Sequence, residues 1–188
     1  MEIFVSVISA LVAIVGLFWV WQERQRAELR VGDVFSWSNE VISALQSLVL
    51  ICSPRVLQLE DQWARARILE IVFRTSILVE QGRLLFMNEV IDDFGSEKPS
   101  AYRGYRPEII DHIVIAHQVS AAWIQASEED RLIMRGIAKD CLMNFVSLAQ
   151  KEIGRSKTIS VDSARGGDGA DLAYLMAEFR DVRAEAST

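Results

Sequence analysis

An all-α fold, a four-helix bundle behind an N-terminal transmembrane helix, is predicted from three features. Apolar residues recur at threes and fours almost throughout residues 33–154. No stretch shows the strict alternation of a half-buried strand. Residues 3–21, IFVSVISALVAIVGLFWVW, carry no charge. The 188-residue chain is 51% hydrophobic with mean hydropathy +0.17, so intrinsic disorder is excluded. Two cysteines exclude a disulfide scaffold, and a net charge of −6 argues against a general nucleic-acid coat.

The anchor, residues 1–22, comes first. Nineteen helical residues span about 28 Å, close to the hydrocarbon thickness of a bilayer. A cleaved signal would need a basic start and a small-x-small site, whereas Phe18, Trp19, Val20 and Trp21 close this run. Arg24, Arg26 and Arg30 follow it while only Met1 and Glu2 precede it. The positive-inside rule therefore places the C-terminal part in the cytoplasm. Trp19 and Trp21, with Arg24 and Arg26, are expected at the headgroup level. Ser6, Ser9, Ala10, Ala13 and Gly16 fall within an arc of about 120° on a helical wheel, the kind of small face through which membrane helices self-associate.

The bundle is expected over residues 23–155. Asp33 can cap a helix to about Cys52, with Phe35, Val41, Ile42, Leu45, Leu48 and Val49 on its apolar side. Pro54 punctuates. A longer helix from about Leu57 to Met87 carries Leu59, Trp63, Ile68, Ile71, Val72, Ile77, Leu78 and Leu85, with Gly82 as a place to kink. Residues 88–105 form the irregular stretch. Pro107 suits a helix N1 position, and that helix runs to about Ala126. Ser127 with Asp130 opens the last helix, which stops near Gly154. Cys52 and Cys141 read as reduced core thiols.

Residues 156–170 are polar and glycine-rich, as a linker is. In the last segment, residues 171–188, Leu172, Leu175, Met176, Phe179 and Val182 share one face of a short helix. Such a helix must dock, on its own bundle, a sister subunit or a partner protein reached through 171–183. Residues 22–87 carry eight acids and eight bases, and residues 88–188 seventeen acids and twelve bases. The distal half is thus the acidic one and is repelled by anionic lipid.

Walker A, GxGxxG, HExxH, CxxC and GxSxG signatures are missing, so no cofactor is implied. His112 and His117 stand about 140° apart on a helix and cannot share a metal. One constellation remains, YRGYRPEIIDHIVIAH at residues 102–117, in which Arg106 precedes His112 with five residues between. It resembles the R-x4–6-H motif of HEPN domains, small helical bundles that often act as metal-independent ribonucleases. That resemblance implies His112 as general acid/base on a ribose hydroxyl and Arg106 as phosphate holder, with RNA as substrate. Pro107 departs from the polar residue usual in that family. In the competing reading, Arg106 pairs with a carboxylate such as Asp111, and Arg103 and Arg106 make subunit contacts.

The whole layout also resembles the small membrane accessory proteins of type VI-B CRISPR systems, which implies a HEPN-like bundle, a ring-shaped homo-oligomer and a membrane pore. The tracts VEQGRLLFMNEV and AYRGYRPEIID are similar to stretches of small bacterial single-span membrane proteins. The leading expectation is therefore a self-assembling, membrane-perturbing defence effector, with enzymatic activity left open. A membrane-tethered endoribonuclease and a scaffold subunit of a larger membrane complex are the alternatives.

Overall fold

The computed structural model describes residues 2–53 and 61–154, with side chains described for 14–53 and 62–154. Within these residues the fold is all-helical. Helix α1 runs Glu2–Ile51, α2 Asp61–Leu85, α3 Glu108–Trp123 and α4 Glu128–Ile153, with a single 3₁₀ turn at Ser100–Tyr102. The expected linker at 156–170 and terminal helix at 171–188 lie outside the described residues, as do Pro54 and the first turn expected from Leu57.

The four helices form an up-down-up-down bundle. Sides are made by α1 with α2, α2 with α3, α3 with α4 and α4 with α1, so α2 and α4 occupy opposite corners. Direction follows from the pairs they make. Just before the packed part of α1, Arg30 lies over the Phe86 ring at 6.0 Å and pairs with Glu152 at 3.7 Å, meeting the ends of α2 and α4. At the start of α4, the Arg131 guanidinium lies 4.2 Å from the Trp123 ring at the end of α3.

One expectation is corrected here. Asp33 does not cap a second helix, because α1 continues unbroken through it for 50 residues, and the boundary expected at residue 22 falls inside that helix. Between Trp21 and Val34 there is no proline. The lone Gly32 costs only about 1 kcal/mol relative to alanine, less than stopping and renucleating a helix. Helix α2 likewise runs through Gly82 without interruption. What Gly82 provides is space, since a Cβ there would stand 2.9 Å from Cζ2 of Trp37 and 3.3 Å from Ile110. Pro107 sits at the N-cap of α3, one position before the one expected. The other end signals act as read: Ser127 accepts from the Asp130 amide, and Gly154 closes α4 with φ +68°.

Burial begins at Val34. Every side chain from Ile14 to Asp33 is exposed, and from Val34 onward α1 alternates between core and surface. Trp37 holds the middle of the bundle together. Its Nε1 donates to the Leu78 carbonyl at 3.0 Å, and its ring meets Phe86 and Phe145, each at 5.5 Å between centroids. Around it Leu45, Leu48, Ile68, Leu78, Ile110 and Ile113 are fully enclosed. Phe35, Trp63 and Ile77, which their spacing assigns to the apolar face, lie outside this core. The apolar stripes are wider than the faces that four helices cover.

Both cysteines are buried thiols. Burial, opposed by Arg131 and Arg135, pushes Cys52 up to about 11, and burial with Asp140 raises Cys141.

Candidate functional site

The stretch between α2 and α3 is irregular in outline but closely tied. Glu89 and Tyr105 exchange two backbone hydrogen bonds of 2.8 Å, forming an isolated antiparallel bridge. Gly104 makes this possible: it adopts φ +76°, and a Cβ on it would come within 2.4 Å of the Glu89 carbonyl oxygen. Asn88 Nδ2 donates to the Arg103 carbonyl at 2.9 Å, and Arg103 Nε donates to the Lys98 carbonyl at 2.8 Å. Phe94 stacks on Tyr105 at 4.9 Å, with the Lys98 ammonium 5.1 Å from the Phe94 ring.

Two tyrosines fasten the stretch to acids. Tyr102 Oη donates to Glu80 on α2 at 2.7 Å, and Tyr105 Oη donates to Asp92 at 3.0 Å. These hydrogen bonds to carboxylates raise both phenols above their ordinary range. A raised phenol contributes to folding below the unfolded-state value, and the contribution fades as pH climbs through the folded one. Alkaline titration followed by tyrosinate absorbance should therefore show two of the chain's three tyrosines ionising above about 10. Three overlapping transitions at the ordinary value would mean that the stretch is not fastened this way.

Between this stretch, the end of α2 and the start of α3 lies an open cleft of about 610 Å³. Arg83, Lys98 and Arg106 bring cations to it, Tyr102, Tyr105 and Phe94 bring rings, and Asp111 brings a carboxylate. The cations are engaged. Arg83 lies 4.5 Å over the Tyr102 ring and 3.4 Å from Glu80. Arg106 Nε donates to Asp111 Oδ1 at 2.6 Å, within the same helix start.

The two residues of the R-x5-H motif are thus placed differently. Arg106 lines the cleft and is held by Asp111, while His112 is absent from its lining. The Nε2 atom of His112 is enclosed without a hydrogen-bond partner. The other histidine is the better connected one: His117 Nδ1 stands 3.2 Å from the Val72 carbonyl and 3.1 Å from Thr75 Oγ1. A carbonyl only accepts, so that contact puts a proton on Nδ1 and ties α3 to α2. Nothing in the sequence spacing marks this pairing, because its partners are 42 and 45 residues away.

Compared with family models, curated proteins and solved structures, the chain matches none.

Arg103 and Arg106, expected as subunit contacts, make bonds within the chain, to Lys98 and Asp111. Of the small face in the apolar segment, Gly16 alone lies among the described side chains. A Cβ there would meet nothing within 4 Å. Trp19 and Trp21 are exposed, and Arg24 pairs with Glu28 at 3.5 Å.

The Arg106–Asp111 pair is partly exposed, so its loss has a modest effect. Arg106→Ala should cost about 1 kcal/mol and lower the melting midpoint by a few degrees. Purified protein should leave single-stranded RNA intact whether residue 112 is His or Ala. Metal-free cleavage that disappears in His112→Ala would instead make this pair catalytic, since general acid/base catalysis contributes roughly 10²–10⁴-fold.

Proposed function

We propose that this chain is a membrane-anchored helical protein that assembles with copies of itself and perturbs the membrane holding it. One observation carries the reading. From Ile14 to Trp21, α1 exposes apolar side chains all round, 55–71% accessible, with no other described element covering them. A core helix of a soluble protein would have these residues packed. A helix apolar on every side and uncovered by protein has lipid as its natural solvent. The run of Arg24, Arg26 and Arg30 after it supports a cytoplasmic bundle.

Chemistry gives a weaker alternative. The cleft's cations are satisfied by acids, rings and carbonyls of the same chain, and the motif histidine does not line it. This favours a structural role for Arg106 over nuclease action. The resemblance to CRISPR-associated membrane accessory proteins extends the proposal to bacterial defence, with a ring of spans as the perturbing element.

Mass measurement of the full chain in mild detergent, followed by dye release from reconstituted vesicles, tests this. A homo-oligomer of many copies that leaks dye is expected. A monomer that retains other proteins would make it a scaffold subunit, and a dimer that cleaves RNA would make it a nuclease.

A further inference from the structure

Two apolar stripes face outward on the bundle, and they lie on the opposite corners α2 and α4. On α2 the stripe is Leu69, Phe73 and Ile77, with Phe73 70% exposed. On α4 it is Ile133, Gly136 and Ile137. At 100° per residue each set falls within an arc of about 100° on its helix. Gly136 is the odd member. It sits in the middle of a 26-residue helix, and a Cβ there would meet nothing within 4 Å. The chain's own packing gives no reason for a glycine that weakens the helix.

The stripes also stand at the same height. Trp37 touches Leu78 on α2, Phe86 just past its end and Phe145 on α4. His117 on α3 reaches Val72 and Thr75 on α2, and six residues further along α3, Trp123 accepts from Arg131 of α4. Both ladders make a residue of α2 level with the one about 63 positions later on α4, counting 1.5 Å per residue. Phe73 is then level with Gly136.

We propose that neighbouring copies pack α2 of one against α4 of the next, with Phe73 seated over Gly136. This rests on the membrane-anchored, self-assembling reading and names its interface. Anchored copies share one orientation and one height, so α2 and α4 of neighbours run parallel with their stripes in register. Because the two faces lie at opposite corners, the contact is heterologous, and its repetition builds a row of copies in the membrane plane that closes into a ring where successive copies are rotated by a constant angle. The bulky Phe73 on one face and the bare Gly136 on the other select this pairing over a symmetric one, which would set Phe73 against Phe73 or Gly136 against Gly136.

The test is cysteine cross-linking with a short bismaleimide in membranes carrying the full chain. The native thiols Cys52 and Cys141 are buried and stay silent. A chain with both Phe73→Cys and Gly136→Cys should give a ladder of dimers, trimers and larger products. Either substitution alone should give none, and the two single variants expressed together should give dimer. Phe73→Glu should lower the mass in detergent while leaving the helical content by circular dichroism unchanged, because Phe73 is exposed within its own bundle. Dimers from Phe73→Cys alone would overturn the heterologous contact. So would an intact large oligomer whose double variant gives no cross-linked product, or an internal cross-link within a single chain carrying Phe73→Cys and Leu175→Cys. If the unaltered chain is a monomer in detergent and in membranes, self-assembly itself fails, and the interface with it.

Discussion

Trp37→Ala is expected to destabilise the bundle by about 3–5 kcal/mol, the range for truncating a well-packed core aromatic. The effect is large because one side chain joins three helices. The indole fills the space that Gly82 leaves open on α2, lies against Phe86 and Phe145, and satisfies the Leu78 carbonyl. Its removal leaves a cavity and takes away the hydrogen bond that ties α1 to the α2 backbone. Circular-dichroism melting in detergent should show a midpoint lower by roughly 10 °C. Trp37→Phe, which keeps much of the volume and loses the donor, should fall between the two. A midpoint within about 2 °C of the parent for Trp37→Ala would mean that the helices are held together elsewhere.

The second large effect is expected at the anchor. Val12→Arg places a charge in the middle of residues 3–21, where insertion scales assign a penalty of about 2.5–3.5 kcal/mol, a shift of roughly a hundredfold in partition. Most of the protein should leave the carbonate-resistant membrane fraction. Met87→Arg serves as the control, because it puts the same charge at an exposed position past the end of α2 and should leave fractionation unchanged. Equal retention of both variants would remove the membrane from the reading of residues 3–21.

Much of this arrangement is legible in the sequence because the signals are local. The pair Ser127 and Asp130 and the glycine at 154 mark the ends of α4 by chemistry contained within a few residues. Apolar spacing finds α2 and α3 for the same reason, since 3.6-residue periodicity is a property of one segment. Continuity between anchor and bundle is harder to read. An aspartate before an apolar run looks alike whether it begins a helix or stands inside one, and Asp33 does the latter. The outward stripe of α2 is hidden too, because Ile77 and the fully enclosed Leu78 are both simply apolar in sequence. The irregular stretch is recognisable by composition, but its fastening is not. Glu89 meets Tyr105, and Asn88 meets Arg103, only after the chain has turned back on itself. Of the candidate pair, the Asp111 partner of Arg106 lies five residues away and is within reach of inspection. The enclosure of His112 Nε2 depends on neighbours that no spacing reveals.

The unbroken course of α1 has a mechanical meaning. Between Trp21 and Val34 about 20 Å of helix joins the apolar segment to the packed core, without a loop to absorb rotation. Bundle and span therefore behave as a lever with one stiff arm. Tilting the bundle by about 10° swings a point roughly 30 Å beyond it by about 5 Å, a displacement comparable to the pitch of a helix. If copies assemble in a membrane as proposed, whatever angle the bundles adopt on meeting one another is imposed on the tilt of every span. In that assembly a change in bundle packing would reach the far leaflet as a change of tilt, with no bend or unwinding of α1.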